Sequence, residues 1–303
     1  MKPVLYVLCG LQGSGKSTYA KRTKFPTVVT VVSSDEIRKE FPDAKNDTVF
    51  QILYKRVNEL LAQDKSVVLD ATNITIKSRR QIFQNVKVPC TKTCIIMNTS
   101  YGICVERVKA RNAKGDDHFV PLEVLERYYK SFEVPFYEEG WDSIEIEHMD
   151  YGSFKELKSD IMSSAMGFNQ HNKHHTQDLG THMLLTGAYL MFYHRGSFLR
   201  DDAVYVASTI HDCGKLFTQT FDAEGQAHYY SHANVGAYHL LCGIPMDVAD
   251  DYFLDVVFFV NYHMHMYNLK SEKSIEKWKR IFGERKFGLL EKLHEADMNS
   301  HTM

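Results

Sequence analysis

The feature that most constrains the fold is the stretch Gly10–Ser17, which reads GLQGSGKS. It follows the apolar run VLYVLC and leads into KSTYAKR, which contains no glycine or proline. Glycines between two such segments let the backbone turn sharply from a buried strand into a helix. The pattern therefore predicts a strand–loop–helix unit of the kind found in parallel sheets covered by helices.

The segments that follow keep this alternation of strand and helix. The runs TVVTVVS, SVVLDAT, TCIIMNT and DSIEIEH predict further strands, and Val49, Leu53 and Val57 recur between two of them at helical spacing. After residue 153, long helical patterns dominate, and only FDAEGQAHYY is strand-like. We expect an α/β domain over residues 1–150 and an all-α domain over residues 160–303.

Composition places the chain among globular proteins, with 44% hydrophobic and 24% charged residues. No apolar run reaches the roughly 18 residues that a membrane span needs, and the first residues lack a cleavable leader pattern. The six cysteines form no CxxC pair, which favours free thiols in a reducing compartment. We therefore expect a cytoplasmic protein without a membrane partner; the oligomeric state stays open.

Charge is distributed unevenly along the chain. Residues 1–115 carry 20 Lys+Arg and 9 Asp+Glu, a balance of +11, whereas the remainder carries 16 and 29, a balance of −13. A basic first half is suited to a polyanionic ligand. An acidic second half is not, unless bound cations change its local charge.

The glycine loop also has the residues of a phosphate site. Its backbone N–H groups converge on phosphate oxygens at a helix N-terminus, a lysine reaches the β- and γ-phosphates, and a serine binds Mg²⁺. We therefore expect ATP and Mg²⁺ as cofactors of this half. The residues predicted to bind them are Gly13, Ser14, Gly15, Lys16, Ser17 and Thr18.

Polar residues after the next strands are candidates for the phosphate acceptor site. Asp35 could take a proton from an attacking hydroxyl, and Arg38, on the same helical face, could hold an acceptor phosphate. The alternative is that Asp35 only caps a helix and Arg38 is solvated. Asp70 ends a buried strand as a Mg²⁺ or substrate ligand would, and Asn73 follows it.

Two further arginines lie on a predicted helix ahead of a polar segment. Arg107 and Arg111, in ERVKARNAKG, could close on a nucleotide and stabilise the charge of a transferring phosphoryl group. A solvated helix face is the alternative for each of them.

Histidines are concentrated in the second half, where thirteen of the fifteen follow Asp150. Neutral imidazoles and carboxylates that converge can hold divalent transition metals. The candidates lie mainly on predicted helices, including His211 and Asp212, and the spacing leaves two choices open, His228 or His232 and His263 or His265. The candidate ligands are His182, His211, Asp212, His228 or His232, His263 or His265, and Asp297.

Four motifs of the first half resemble the 5′-polynucleotide kinase domain of the RNA-repair type over roughly residues 3–140. They are GLQGSGKST, SSDEIR, LDATN, and ARNAK followed by VPLEVLERYYKSF. The resemblance implies that Lys16 and Ser17 bind ATP and Mg²⁺, that Asp35 is the general base, and that Arg38 holds the acceptor phosphate. It further implies that Arg111 is a catalytic lid residue, and Asp70 and Asn73 are expected to bind substrate.

The order H…HD…H…H…D, with HDCGK and ADMNS, resembles the HD-domain metal-dependent phosphohydrolases over about residues 165–303. This resemblance implies one or two ions such as Mn²⁺, Fe²⁺, Ni²⁺ or Co²⁺, and it favours His232 and His263 for the extra positions. Lys215 is the implied phosphate contact, and His174 and His175 are expected to touch substrate. The implied metal ligands are His182, His211, Asp212, His232, His263 and Asp297.

Together the resemblances imply a bifunctional enzyme that heals RNA ends, or DNA ends, with an RNA ligase acting downstream. One activity phosphorylates a 5′-OH end and the other removes a 2′,3′-cyclic phosphate or 3′-phosphate. Two alternatives stay open: a nucleoside or nucleotide kinase fused to a small-molecule nucleotidase or phosphodiesterase, and a non-catalytic nucleotide sensor.

Overall fold

The computed structural model describes residues 2–115, 119–147, 153–171, 177–194, 203–243, 247 and 249–300. The chain divides into two compact units. Unit 1 comprises Met1–Tyr129 and Glu139–His148, and unit 2 comprises Lys130–Glu138 and Met149–Met303. None of the helices in these described ranges combines the length and apolar character that crossing a membrane would demand.

Unit 1 alternates strands with helices, as the apolar runs predicted. Its elements are β1 (Val4–Cys9), α1 (Lys16–Arg22), β2 (Val29–Ser33), α2 (Ser34–Glu40), α3 (Asn46–Leu61), β3 (Ser66–Asp70), α4 (Ile76–Asn85), β4 (Thr91–Met97), α5 (Tyr101–Ala113), α6 (Leu122–Lys130) and β5 (Ser143–Glu147). A short 3-10 helix, Tyr137–Glu139, precedes the last strand.

The five strands form a parallel sheet in the order β2-β3-β1-β4-β5, so the predicted parallel sheet is confirmed. The central strands are buried along almost their whole length because helices cover both faces, which explains their continuous apolar sequences. Part of the core consists of Tyr6, Leu8, Val68 and Ile95.

The register of this sheet places the ends of three strands together. Ser33, the last residue of β2, pairs with Asp70, the last residue of β3. Leu69 in turn pairs with Val7 on β1. Since all three strands are parallel, the glycine loop, the start of α2 and Asp70 meet at one edge of the sheet, where ligands of open α/β sheets bind.

Unit 2 is mainly helical, as predicted for this half. Its elements are α7 (Phe154–Ala165), α8 (Leu179–Tyr193), α9 (Ala203–Ser208), α10 (Lys215–Thr218), β6 (Thr220–Phe221), β7 (Ala227–His228), α11 (His232–Cys242), α12 (Asp250–Tyr262), α13 (Glu272–Phe282) and α14 (Glu284–Ser300). β6 and β7 form a small antiparallel hairpin within FDAEGQAHYY and the threonine before it. A 3-10 helix, His263–Asn268, continues directly from α12.

The segment Lys130–Glu138, here called the inserted segment, belongs to unit 2 although both of its flanks belong to unit 1. Phe132, Val134 and Phe136 are at most 2% exposed. Phe136 packs edge-on against the rings of Phe258 and Phe282, at 5.1 and 5.6 Å between centroids. The sequence placed this segment in the first domain, so the structure differs here in assigning it to the core of unit 2.

Candidate active sites

The glycine loop of unit 1 depends on two residues with left-handed backbone angles. Gly13 has φ 80° and Gly15, which precedes α1, has φ 94°, a region that only glycine adopts at little cost. A Cβ on Gly13 would also lie 2.7 Å from the carbonyl oxygen of Cys104. Both positions therefore require glycine for the turn from β1 into α1.

The side chain of Lys16 is held against the glycine loop by backbone carbonyl groups of that loop. Its Nζ donates to the carbonyl oxygens of Gly10, at 3.0 Å, and Leu11, at 2.7 Å. Burial lowers the pKa of Lys16, against the opposing charge of Asp70. The two hydrogen bonds place Nζ at the position where the motif holds the phosphates.

Ser17 and Asp70 form the pair that a Mg²⁺ site at this loop would use. The Ser17 hydroxyl donates to Oδ2 of Asp70 at 2.6 Å. Burial raises the pKa of Asp70, while the Ser17 hydrogen bond and Lys16 act in the opposite direction. Ser14 is buried beneath the loop, whereas the side chain of Thr18 is exposed on α1.

Asp35 and Arg38 lie on α2 beside this pair. The helix is capped by the Ser33 hydroxyl, which accepts from the N–H groups of Asp35 and Glu36, so the carboxylate of Asp35 is not used as the cap. Asp35 Oδ1 lies 3.7 Å from Arg38 Nη1, and the two side chains are 59% and 41% exposed. Arg38 is oriented by Asn46 Oδ1, which accepts from Nη2 at 2.6 Å. A reacting hydroxyl can reach both groups.

Asn73 and Arg79 have a different environment, buried under the turn after β3. Asn73 has φ 48° and is 4% exposed, and its amide donates to the carbonyl oxygens of Leu8 and Ala71. Arg79 is fully buried, bonds Glu139 with two nitrogens and donates to the Asn73 carbonyl. These contacts hold the turn in shape. Substrate binding by Asn73 stays a prediction, because its side-chain amide donates to backbone carbonyl groups of the turn.

The two arginines of α5 occupy neighbouring turns of one helical face. Arg107 Nη1 donates to the Gly13 carbonyl at 3.2 Å. Arg111 is four residues further on, and its Nε and Nη2 are shielded from solvent without a hydrogen-bond partner among the described residues. Buried guanidinium donors without acceptors are costly unless an anion completes them. The two shielded nitrogens of Arg111 are therefore available to bind phosphate oxygens.

In unit 2, four histidines and two aspartates from three α-helices, the 3-10 helix and one turn converge on one buried point. His182 Nε2 lies 3.4 Å from Asp212 Oδ2 and 3.1 Å from Asp297 Oδ1. His211 Nε2 lies 3.5 and 3.4 Å from the same two oxygens. These four side chains define one half of the cluster, called here subsite 1.

The other oxygen of Asp212 faces a second pair of histidines. Its Oδ1 lies 3.0 Å from His232 Nε2 and 3.4 Å from His263 Nε2. The two Nε2 atoms are 3.1 Å apart. Asp212, His232 and His263 define subsite 2, so Asp212 is shared by both subsites. The donor atoms of subsite 2, and those of His182, His211 and Asp212 in subsite 1, lie close enough together to hold a metal ion.

Each histidine ring is oriented through its Nδ1 atom. Nδ1 of His211, His232 and His263 lies within 2.9 Å of a backbone carbonyl oxygen, from Ser208, Tyr229 and Val260 respectively. Nδ1 of His182 faces the Ser300 hydroxyl, which donates to the Asp297 carbonyl. Because a carbonyl oxygen can only accept, Nδ1 of His211, His232 and His263 donates, and their Nε2 atoms face the cluster, which is the arrangement found around metal ligands.

The prediction that His211 and Asp212 lie on a helix is wrong. They lie in consecutive turns between α9 and α10, closed by bonds such as Cys213 N–H to Ile210 O and Lys215 N–H to Asp212 O. The turns leave adjacent side chains free to reach the same centre, which a regular helix would separate by about 100°.

Other predicted residues of this half are placed as follows. Lys215 is buried, and its Nζ contacts Asp212 Oδ2 at 2.7 Å and Gln170 Oε1 at 2.9 Å. His228 pairs with Asp222, and His265 packs against Trp278, so neither joins the cluster. His174 and His175 lie outside the described residues. Sequence reasoning missed Gln170 and Tyr267, whose hydroxyl donates to Asp297.

The electrostatics of the cluster are set by its two carboxylates. Burial lowers the pKa of His182, but Asp212 and Asp297 outweigh this effect and raise it to about 9. Burial raises the pKa of Asp212, yet Lys215, His211 and their neighbours hold it well below its usual value. Asp297 is likewise held ionised by His182 and His211. Two buried carboxylates among imidazoles are a donor set that suits transition-metal ions and less so Mg²⁺.

Comparison with known proteins gives a family match for part of the chain. Residues 5–135 match the family model AAA_33, described as AAA domain. The matched range covers most of unit 1 and includes the glycine loop.

Two curated proteins are similar to the chain. A bifunctional polynucleotide phosphatase/kinase from Schizosaccharomyces pombe is 26% identical over 144 residues, covering 46% of this chain and 32% of that protein. An L-seryl-tRNA(Sec) kinase from Methanococcus maripaludis is 23% identical over 171 residues, covering 52% of this chain and 65% of that protein. The chain thus spans about a third and about two thirds of their lengths.

Among solved structures, a chain of the Pnkp1/Rnl/Hen1 RNA repair complex is 24% identical. The alignment covers 42% of each chain with a TM-score of 0.37. A score at this level does not establish a shared overall fold.

Proposed function

We propose that the chain is a bifunctional enzyme that heals nucleic-acid ends, RNA ends in the first place. Residues 1–150 are proposed as an ATP- and Mg²⁺-dependent 5′-hydroxyl kinase domain, and residues 160–303 as an HD-type phosphoesterase domain. The observation that carries the proposal is that each unit contains a complete group of residues for phosphate chemistry. Similarity to a polynucleotide phosphatase/kinase supports a nucleic-acid acceptor for the kinase.

In unit 1, the residues divide the transfer between them. The glycine loop and Lys16 hold the phosphates of ATP, and Ser17 with Asp70 would hold Mg²⁺. Asp35 takes the proton of the 5′-hydroxyl. The oxygen of that hydroxyl attacks the γ-phosphorus, and the bond from the phosphorus to the ADP oxygen breaks. Arg38 binds the neighbouring phosphate of the acceptor strand. Arg111 neutralises charge that develops on the transferring group.

In unit 2, His182, His211, Asp212 and Asp297 would hold one divalent ion, and Asp212, His232 and His263 a second. Divalent ions, when bound, supply Lewis-acid activation of water and neutralise charge at phosphorus. Lys215 is placed beside Asp212 to contact a phosphate oxygen of the 2′,3′-cyclic or 3′-phosphate end. The burial of the cluster excludes bulk water around these groups.

The test uses one short RNA with a 5′-OH and a 2′,3′-cyclic phosphate, incubated with ATP, Mg²⁺ and Mn²⁺. Mass spectrometry should show phosphate gained at the 5′ end and lost at the other end. Lys16→Ala should abolish only the first change and Asp212→Ala only the second. Equal kinase rates on a nucleoside and on the same nucleoside with a 3′-phosphate would instead favour the small-molecule alternative and contradict the role of Arg38.

If both reactions occur, the products carry a 5′-phosphate and a free 3′-OH. These are the ends that many RNA ligases require, so a ligase is the proposed downstream partner.

A further inference from the structure

Tyr267 contacts the cluster of unit 2 from a direction that no predicted ligand uses. It lies in the 3-10 helix His263–Asn268, and its hydroxyl donates to Oδ2 of Asp297 at 2.9 Å. The other oxygen of this carboxylate, Oδ1, faces the Nε2 atoms of His182 and His211. One oxygen is therefore held by protein and the other is directed into subsite 1.

The ring of Tyr267 is fixed by the same helix that carries Asp297. It meets His294 edge-on, with 4.3 Å between centroids and an interplanar angle of 84°. His294 precedes Asp297 by three residues on α14, so ring and carboxylate share one face of that helix. The tyrosine thus has little freedom to leave the carboxylate.

Tyr267 lies in the same short helix as a residue of subsite 2. It follows His263, a residue of subsite 2, by four residues within one short helix. Its hydroxyl nevertheless contacts subsite 1, because it donates to Asp297.

We propose that Tyr267 is a positioning residue of the metal centre, whose hydroxyl holds Asp297 so that a single oxygen faces the ion beside His182 and His211. This inference rests on the metal-dependent activity proposed for unit 2. Hydrogen bonds to the ligands of a metal typically change its affinity by about 10- to 100-fold.

The test is Mn²⁺ binding to the full chain, which is measured by calorimetric titration and by the metal content of the protein after gel filtration. Tyr267→Phe removes only the hydroxyl and keeps the ring on His294. We expect Mn²⁺ affinity at one site to fall by about 10- to 100-fold, with an unchanged melting temperature in the presence of a chelator.

Tyr189→Phe is the matched control. It also removes a phenol that donates to a carboxylate of α14, Glu295 at 3.3 Å, but outside the cluster. It should bind Mn²⁺ like the wild type. Wild-type affinity and stoichiometry in Tyr267→Phe would overturn the inference.

A double-mutant cycle with Asp297→Asn keeps the test decisive if the single variant is unstable. If Tyr267 acts through Asp297, Tyr267→Phe should cause no further loss of affinity in the Asp297→Asn background. An equal loss in both backgrounds would also overturn the inference. If the wild-type chain itself bound no Mn²⁺, the metal centre of the proposed function would fail first, and the inference with it.

Discussion

Gly214 packs directly against the backbone carbonyl of His232, and the space between them has no room for a Cβ atom. Gly236, one turn further along α11, also packs tightly against this turn, because a Cβ there would be 2.9 Å from the Gly214 nitrogen. This crossing of two glycines brings α11 close enough for His232 to reach Asp212. The glycine of HDCGK thus has a packing role and needs no unusual φ, since its φ is −66°.

Gly214→Ala should therefore weaken subsite 2. The added methyl must push α11 away, which moves His232 from Asp212 and costs about 1–3 kcal/mol of stability by overpacking. We expect Mn²⁺ affinity to fall by at least about tenfold in titrations, as for other disturbances around metal ligands.

Gly288→Ala is the control for this substitution, since among the described residues no atom apart from the backbone of α14 itself lies within 4 Å of a Cβ at that position. It should leave Mn²⁺ binding unchanged and the protein as stable or slightly more stable. Wild-type Mn²⁺ affinity in Gly214→Ala would contradict the packing argument.

Asp35→Asn should separate catalysis from nucleotide binding. Loss of a general base typically costs about 10²- to 10⁴-fold in rate, whereas ATP is held by other residues. We expect this loss in phosphate transfer to a 5′-OH RNA, with the Kd for ATP changed by no more than a few-fold. Glu36→Gln, an exposed neighbour in the same helical turn, should retain full activity. A rate within threefold of wild type for Asp35→Asn would rule out the base assignment.

Glu139→Gln should destabilise the protein strongly. Glu139 and Arg79 are 1% and 0% exposed, and removing one member of a buried ion pair costs about 3–5 kcal/mol because the other charge is left unpaired. Urea unfolding at neutral pH measures the loss. In the exposed pair of Glu40 and Arg56, Glu40→Gln should cost less than about 1 kcal/mol. Similar losses in Glu139→Gln and Glu40→Gln would show that burial of an ion pair does not determine how much stability its loss costs.

Asp178 should make the stability of unit 2 depend on pH. It caps α8, where Thr181 donates to both carboxylate oxygens at 2.9 and 2.8 Å. Burial raises the pKa of Asp178, but the hydrogen bonds from Thr181 outweigh burial and hold the pKa below its usual value. The contribution of ionised Asp178 to the free energy of unfolding is therefore complete above the unfolded-state pKa of about 3.9. It is lost as the pH falls through the folded-state pKa.

Asp178→Ala should accordingly lower the free energy of unfolding by about 1 kcal/mol at pH 7, and the difference from wild type should narrow below about pH 4. Denaturant unfolding at several pH values provides the comparison. Asp178→Asn keeps an uncharged acceptor and should show a smaller loss at pH 7, and this loss should also narrow as the wild-type carboxylate is protonated. A difference that widened with falling pH would contradict the assignment.

The sheet of unit 1 could be predicted from sequence because its signals are local. An apolar strand, a glycine turn and a helix follow one another within residues 4–22, the next strands contain apolar runs, and β5 alternates apolar and polar residues. The candidate metal residues were also visible, since histidine and aspartate in HDCGK and ADMNS stand out in an apolar context. The choice between His228 and His232 needed either a resemblance or the coordinates, because spacing alone does not fix which ring faces Asp212.

The contacts missed from the sequence join residues that are far apart along the chain. Arg79 and Glu139 are separated by 60 residues, and Gln170 and Lys215 by 45. Their partners are set by how strands and helices pack, which no local pattern encodes. Tyr267 had a weak local signal, four residues after His263, but a tyrosine beside a histidine on an apolar helix usually belongs to a core.

The inserted segment means that neither unit is a continuous stretch of the gene. Phe132, Val134 and Phe136 complete the core of unit 2, yet they are encoded before β5, the last strand of unit 1. A fragment starting at residue 150 would lack these three side chains, and a fragment ending at residue 129 would lack a sheet strand. Neither unit can therefore be produced whole and alone as one continuous fragment of the chain.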